Sequence, residues 1–361
     1  MKSIRVAENS MITPWVLFRH RKESIPYYFE ENAVKSHSLH ASGRAALLEG
    51  LKVLGCTADD NVLLPAYVCE AAATPFRKLG IQLRFYDILP SLEPDMADLV
   101  SKVDDKTKAV MIVDYFGFPQ ELGPVRDLCN QHGIFLIEDS SHGILSRKDS
   151  RLLGTSGDIG FSSIYKVLAT PNGGVLFVNN DQLIPDNPAS FETPGFSLKS
   201  DGLFFMSSLL KFLETKYGIP TWILRNTYKK THPVGESIGD RAIFMEASIS
   251  RVTIDAIERL DLEEIIRRRR SNYNCWLDKV YGVKGTKILF ESLPQGTCPW
   301  VFPLIVEEGN FIEEIQDKGI ASSAWPNLPP EVRGRKDYTN YLAEHLFVLP
   351  VHQSVNQDYL K

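Results

Sequence analysis

The chain has 361 residues and a mass of 40.7 kDa, more than one hydrophobic core usually holds, so we expect a large domain and a smaller one. With 43% hydrophobic and 24% charged residues, the composition excludes a disordered or fibrous protein. Its 40 basic and 45 acidic residues give a formal charge of -5, which predicts no nucleic-acid partner and no attraction to anionic lipid.

From about residue 40 to residue 180, apolar runs of strand length alternate with segments of helical period. The predicted strands are residues 61–64, 83–86, 109–113, 134–137 and 175–178. The predicted helices between them are residues 45–54, 70–79, 96–103 and 121–132. This alternation is typical of a mainly parallel sheet covered by helices, so the predicted fold class is α/β.

The pattern then changes. A Pro-rich stretch leads into a strongly apolar helix at residues 203–213, inside a predicted helical insertion at about residues 185–240. We predict that this helix packs over the large domain or across a dimer, and a lid or a partner surface is the alternative. A long helix predicted at residues 253–276 joins a large domain, residues 1–250, to a small α+β domain, residues 251–361.

The cysteines and the hydropathy of the chain indicate its compartment. The cysteines are scattered, with neither a CxxC pair nor a His grouping at metal-ligand spacing: Cys56, Cys69, Cys129, Cys275 and Cys298. We therefore expect reduced thiols and no metal. Because the sequence shows neither a signal-peptide core nor an apolar run of membrane length, a cytoplasmic protein is expected.

A first candidate site is the segment Ser42-Gly43-Arg44, which opens a helical pattern. Helix N-termini bind phosphate through unpaired N–H groups and the positive end of the helix dipole, and Gly43 permits a close approach of the ligand. Arg44 adds positive charge. A plain N-cap is the alternative interpretation of Ser42.

A second candidate is the apolar strand that ends in Glu138 and Asp139 and continues into Ser140, Ser141 and His142. In open α/β sheets, ligands bind beyond the carboxyl ends of the strands. An acid at that place can hold a cationic ring nitrogen or a metal, and an exposed turn is the alternative.

The third candidate is Lys166, which follows a Ser-rich strand-to-turn segment that includes Ser163. Most lysines are surface cations, but one among apolar neighbours can lose solvation and act as an amine nucleophile. Together, the three candidates supply what pyridoxal 5'-phosphate (PLP) needs: an anion cradle, a carboxylate for the pyridinium nitrogen and an amine for a Schiff base.

These residues resemble the DegT-type family of sugar aminotransferases, with a match from about Ser42 to Val178 and weaker similarity to the end of the chain. The matching segments are Ser42 to Leu47, Leu64 to Tyr67, Phe85 to Asp87, Ile137 to Asp139, Gly157 to Gly160 and Leu349 to His352. The resemblance implies the type I PLP fold, with a seven-stranded, mainly parallel sheet between helices and a smaller C-terminal α+β domain. It also implies a homodimer.

The resemblance further implies roles for individual residues. Lys166 would form the Schiff base and Asp139 would pair with the ring nitrogen, and both are the predicted catalytic residues. The predicted cofactor contacts are Ser42, Gly43, Arg44, Cys69, Asp139, His142, Ser163 and Lys166. Among these, Gly43, Arg44 and Ser163 would hold the phosphate. His142 stands where the family usually has Gln near the phenolic oxygen, and a structural histidine is the alternative.

The chain departs from the family pattern at three places. Ser163 and Lys166 are closer together than is common, which indicates a divergent branch. Cys69 stands where an aromatic residue usually stacks on the cofactor ring, and Tyr115 or Phe116 is the expected substitute. Where the neighbouring subunit often supplies a phosphate-binding Asn, this chain offers Arg251.

The predicted function is the PLP-dependent transfer of an amino group from an amino acid, expected to be glutamate, to a keto-sugar nucleotide in polysaccharide or amino-sugar biosynthesis. A PLP-dependent lyase or dehydratase would use the same cofactor contacts. Lys166 favours transamination, because some dehydrating relatives lack this lysine. A non-catalytic cofactor-binding or scaffold protein is the alternative outside enzymes, and the coexistence of Arg44, Asp139 and Lys166 argues against it.

Overall fold

The computed structural model describes residues 28–29, 34–184, 249–335 and 337–360. The predicted insertion at residues 185–240, with its apolar helix at 203–213, lies outside the described residues. In the parts of the chain that are described, no helix is long and apolar enough to cross a membrane.

Seven strands form the large sheet, and their central part is parallel. The strands are β1 (His37–His40), β2 (Asn61–Pro65), β3 (Gln82–Tyr86), β4 (Thr107–Val113), β5 (Phe135–Asp139), β8 (Ile159–Ser163) and β9 (Gly174–Val178); β6 (Arg147–Lys148) and β7 (Arg151–Leu152) form a separate hairpin. The order across the sheet is β1-β9-β8-β5-β4-β2-β3. Strands β8, β5, β4, β2 and β3 run parallel, and β9 and β1 are antiparallel to their neighbours. The predicted α/β fold class is confirmed.

Helices cover this sheet and lead into the C-terminal part of the chain. They are α1 (Gly43–Val53), α2 (Glu70–Lys78), α3 (Met96–Ser101), α4 (Gly123–His132), α5 (Ile164–Val167), α6 (Arg251–Ile257), α7 (Leu262–Val280), α8 (Phe311–Asp317) and α9 (Tyr338–His345). The chain also forms short 3-10 turns at Tyr115–Gly117, Asp181–Leu183 and Gln357–Tyr359. Local chemistry sets several ends. Ser42 caps α1 by accepting from the Ala45 amide at 3.2 Å, and Gly133 ends α4 with a φ of 64°.

A second sheet follows in the C-terminal part. Its strands are β10 (Thr286–Ile288), β11 (Val301–Val306), β12 (Ser323–Ala324) and β13 (Leu346–Pro350), in the order β10-β11-β13-β12 and antiparallel throughout. This is the α+β composition expected for that region. The domain boundary at residue 250 stays a prediction.

The long helix predicted at residues 253–276 is wrong in one respect, because the structure has two helices there, α6 and α7. Asp261 caps the second helix by accepting from the Glu264 amide at 3.1 Å. Its backbone is extended, with φ -89° and ψ 94°, so the helix cannot continue through this residue. Leu260 is buried just before the break.

Candidate active site

The carboxyl ends of three parallel strands place the predicted residues together. In register, Val113 of β4 lies beside Asp139 of β5, and Asp139 lies beside Phe161 of β8. Ser163 ends β8, and Lys166 follows in α5. We call the group Asp139, Ser141, His142, Ser163 and Lys166, with the start of α1, the strand-end site. It lies where ligands bind in open α/β sheets.

The start of α1 lies against the serines of the strand-end site. A Cβ added to Gly43 would lie 2.4 Å from Ser163 Oγ and 3.5 Å from Ser141 Oγ. A side chain at position 43 would therefore displace the Ser163 hydroxyl from its place at the start of α1. Helix amides, the positive end of the dipole and serine hydroxyls together favour an anion such as phosphate. Arg44 stands in the first turn and is half-buried, and Ser141 is a neighbour that sequence analysis did not assign.

Asp139 is a buried carboxyl group whose electrostatic partner is Lys166. Its side chain is 5% exposed, and Oδ1 accepts from the Ser141 amide at 2.9 Å. Burial raises the pKa of Asp139, and the charge of Lys166 acts in the opposite direction. Burial also raises the pKa of the half-buried Cys69, which both Lys166 and Asp139 influence. The three groups therefore lie within electrostatic reach of one another, and a cationic ligand atom near Asp139 would lower the cost of its charge.

His142 has a hydrogen-bond donor that no described residue uses. The side chain is 3% exposed, and Nδ1 accepts from the Phe116 amide at 3.2 Å. Burial and the charge of Lys166 hold the pKa of His142 well below its ordinary value, so the ring is neutral at neutral pH. Because Nδ1 is the acceptor, Nε2 carries the proton, and Nε2 has no partner among the described residues. A buried donor without a partner fits a ligand oxygen.

Two tryptophans that flank strands of the C-terminal sheet complete the site, Trp300 just before β11 and Trp325 just after β12, and sequence analysis missed both. The Trp300 ring stacks on His142 with centroids 4.1 Å apart and 14° between the planes, and Lys166 Nζ lies 5.3 Å from the Trp300 centroid. Trp325 meets His142 edge-on at 5.4 Å. Nothing in the local sequence marks these residues, because their neighbours at the site lie more than a hundred positions away in the chain.

The residues expected to replace the missing aromatic have different partners. Phe116 lies parallel to His142 with centroids 6.0 Å apart, and its amide is the donor to that ring. The Tyr115 hydroxyl donates to the Tyr67 carbonyl at 2.6 Å.

Arg251, expected to replace the phosphate-binding Asn, pairs with Asp255 of its own helix at 3.2 Å. A cofactor contact of Cys69, stacking on the cofactor by Tyr115 or Phe116, and a contact of Arg251 with another subunit stay predictions.

The fold and the strand-end site together define a PLP-type α/β enzyme, since the residues present fit that cofactor. The observations that support the fit are the close approach at Gly43, the unpaired Nε2–H of His142 and the buried carboxyl of Asp139 near Lys166. The model of the DegT/DnrJ/EryC1/StrS aminotransferase family matches residues 27–209, and the chain belongs to this family. The resemblance noted in the sequence is thereby confirmed.

Comparisons with individual proteins agree with this assignment. The chain is 28% identical over 327 residues to dTDP-4-dehydro-2,3,6-trideoxy-D-glucose 4-aminotransferase of Saccharopolyspora spinosa, covering 87% of this chain and 73% of the relative. It is 32% identical over 154 residues to GDP-perosamine synthase of Vibrio cholerae, covering 42% of each. The fold is similar to that of the sugar aminotransferase CalS13 from Micromonospora echinospora, with a TM-score of 0.69 and 19% identity over 99% of this chain and 97% of that one. The predicted enzyme class, a PLP-dependent sugar aminotransferase, is confirmed.

Proposed function

We propose that this enzyme transfers an amino group from an amino acid, with glutamate as the expected donor, to a keto-sugar nucleotide, using PLP bound at the strand-end site. The product would enter amino-sugar or surface polysaccharide biosynthesis. The observation that carries the proposal is the joint burial of Asp139 and of the unpaired His142 Nε2–H beside Lys166.

Each part of the cofactor has residues that would hold it. The first turn of α1, with Ser42, Gly43 and Arg44, and the Ser163 hydroxyl would bind the phosphate. The remaining predicted contact is Cys69, which would lie beside the ring. When bound, PLP supplies an electron sink next to the α-carbon of the donor.

Three side chains would then act in the reaction. Asp139 would stabilise a proton on the ring nitrogen, and the attraction would be strong because the local dielectric is low. His142 Nε2–H would donate to the phenolic oxygen and keep its proton throughout. Lys166 Nζ would carry a proton from the donor α-carbon to the cofactor in the first half of the reaction, and from the cofactor to the sugar carbon that receives the amino group in the second half. The Trp300 indole, 5.3 Å from Lys166 Nζ, would limit the access of water to that amine.

The decisive experiment starts from the purified protein incubated with PLP, reduced with borohydride and mapped by peptide mass spectrometry. We expect the pyridoxyl label on Lys166. With glutamate and a panel of keto-sugar nucleotides, we expect amino-sugar and 2-oxoglutarate in equal amounts. A label elsewhere, or no label, would refute the proposed cofactor site.

The same assay separates the alternatives. A lyase or dehydratase would consume the sugar without forming an equal amount of 2-oxoglutarate. A non-catalytic scaffold would turn over neither substrate. The homodimer is part of the proposal on the basis of the resemblance, and sedimentation analysis of the purified protein would test it.

A further inference from the structure

Arg269 of α7 is fully buried, and its guanidinium donates to four neutral groups among the described residues. Nη2 donates to the Val167 carbonyl at 2.7 Å. Nη1 donates to the carbonyls of Pro299 at 3.1 Å and Trp300 at 3.0 Å. Nε donates to Gln353 Oε1 at 3.1 Å. The exposed fraction of Arg269 is 0%.

A buried cation without a carboxylate partner is costly to the fold. Within the described ranges, no carboxylate contributes to the electrostatics of Arg269, and Cys298 is its one coulombic neighbour. Burial lowers the pKa of Arg269 to about 10, so the group stays charged at neutral pH. An apolar side chain of similar length would avoid this cost, which indicates a role for Arg269 beyond packing.

The carbonyls that Arg269 binds belong to segments that touch Lys166. Val167 directly follows Lys166 and ends the four-residue helix α5, where a carbonyl has no intrahelical partner. Gln353 Nε2 also donates to this carbonyl, at 3.4 Å. Trp300, on the other side, stacks on His142 and has Lys166 Nζ over its ring. Arg269 therefore connects the backbone next to Lys166 with the backbone of Trp300, whose ring lies beside the Lys166 amine.

We propose that Arg269 is a positioning residue that fixes the reach of the Lys166 amine, by holding the Val167 carbonyl against the Trp300 carbonyl. The inference rests on the proposed function of Lys166. A guanidinium suits this role because its rigid planar fork directs several N–H groups at once, whereas a lysine ammonium offers a single mobile point charge. Small displacements of a reacting group are expensive, because an error of about 1 Å can cost about a hundredfold in rate.

The test compares Arg269→Met and Arg269→Lys with the control Arg270→Met. Arg270 lies in the same helix and also donates to carbonyls, those of Pro294 at 2.8 Å, Thr297 at 2.7 Å and Leu293 at 3.4 Å, but none of these residues adjoins Lys166 in the chain. The control removes an arginine with similar bonds and leaves the Lys166 segment untouched.

Two measurements report on Lys166 in folded protein. In the cofactor-free protein, the acylation rate of Lys166 by acetic anhydride is followed by peptide mass spectrometry. In the presence of PLP, the rate of borohydride-trapped attachment to Lys166 is followed, together with kcat and KM. We expect both Arg269 variants to attach PLP about tenfold to a hundredfold more slowly and to lose kcat with little change in KM. Their acylation profile against pH should also differ from that of wild type, and Arg270→Met should match wild type throughout.

The outcomes separate the two proposals. If wild type fails to attach PLP at Lys166, the proposed function fails. If wild type attaches PLP and the Arg269 variants do so at the wild-type rate per folded molecule, the positioning role is overturned. Full activity of Arg269→Lys would equally overturn it, because a lysine lacks the fork.

A milder variant covers the case in which Arg269→Met does not fold. Gln353→Ala removes one donor from the Val167 carbonyl and one acceptor from Arg269, and it leaves the guanidinium in place. We expect it to slow PLP attachment a few-fold in folded protein, as judged by circular dichroism. Attachment at the wild-type rate would contradict the proposal.

Discussion

On α7, the buried side chains of Asn272 and Trp276 have hydrogen-bond partners within the chain, whereas at the strand-end site one buried donor, His142 Nε2, has none among the described residues. Asn272 Nδ2 donates to the carbonyls of Val351 at 3.1 Å and His352 at 3.0 Å, and Trp276 Nε1 donates to Pro350 at 3.0 Å. We call the surroundings of Asn272 and Trp276 the α7 junction. At the strand-end site, by contrast, His142 Nε2 has no partner in the described part of the chain.

The difference separates polar groups that stabilise the fold from those kept for a ligand. A satisfied buried hydrogen bond contributes to stability, and an unsatisfied one costs free energy until a ligand supplies the partner. Substitutions at the junction should therefore lower stability, and substitutions at the strand-end site should lower activity. The following predictions, in order of expected effect, test that division.

Lys166→Ala should abolish turnover and the yellow colour of the PLP-loaded protein, because no other described amine stands at the strand-end site. Its free energy of unfolding should stay within about 1 kcal/mol of wild type, since the side chain is partly exposed. Absorbance and a glutamate-dependent assay measure the first effect, and urea unfolding the second. Lys52→Ala, which removes an exposed ion pair with Glu49, is the control and should stay active. A Lys166→Ala variant that stays active and coloured would contradict the assignment of Lys166 as the Schiff-base residue.

Asp139→Asn should lower kcat on the order of a hundredfold, because it removes the charge that stabilises the cofactor ring. The cofactor-free variant should be no less stable than wild type at neutral pH. Burial raises the pKa of Asp139, so its charge opposes folding there, and the amide oxygen can still accept from Ser141. Activity and urea unfolding provide the two readouts.

Asp158→Asn is the matched control for Asp139. Asp158 is also a buried acid, but it accepts from the Leu136 amide at 2.8 Å and pairs with Arg126 at 2.8 Å, away from Lys166. We expect this control to lose stability and keep kcat. A clear loss of stability in Asp139→Asn would show instead that the charge of Asp139 serves the fold.

Asn272→Ala should lower the free energy of unfolding by about 2–3 kcal/mol, because two buried carbonyls lose their donor. The kcat of the folded variant should stay within about twofold of the wild-type value, a change in the activation free energy of well under 1 kcal/mol. Ser271→Ala, one position earlier, removes a partly buried hydroxyl and should cost less. If Asn272→Ala lost activity at unchanged stability, the division between the two regions would fail.

His142→Gln should change how stability depends on pH. The folded-state pKa of His142 is well below 6.5, so below that pH the unfolded chain binds a proton that the folded chain does not. The contribution of His142 to the free energy of unfolding is fully present above about pH 6.5. Below that pH it falls by about 1.4 kcal/mol per pH unit. Between pH 7.5 and pH 5.5, urea unfolding should show a smaller decrease in the free energy of unfolding for His142→Gln than for wild type. The exposed His132→Gln should keep the wild-type loss, and equal losses in His142→Gln and wild type would contradict the buried neutral ring.

Much of the fold followed from local sequence. Strands β2 and β4 are apolar runs buried along their length or nearly so, and hydrophobic periodicity records such burial directly. The motif at Ser42 and the acids that end β5 were also visible, because a cap and a strand end are local features. The break between α6 and α7 was missed, since the helical period continues across it and only the cap at Asp261 reveals it.

The sequence by itself determined the α/β pattern, the helix that Ser42-Gly43-Arg44 opens, the carboxylate at 139 and the amine at 166, since each depends on a few neighbouring residues. Only the tertiary structure decided that Trp300 stacks on His142 and that Arg269 binds the carbonyl beside Lys166. Those contacts join residues that are more than a hundred positions apart in the chain, and the parallel order of the strands and the packing of α7 bring them together. Periodicity along a chain carries no record of which distant segment will lie across from it.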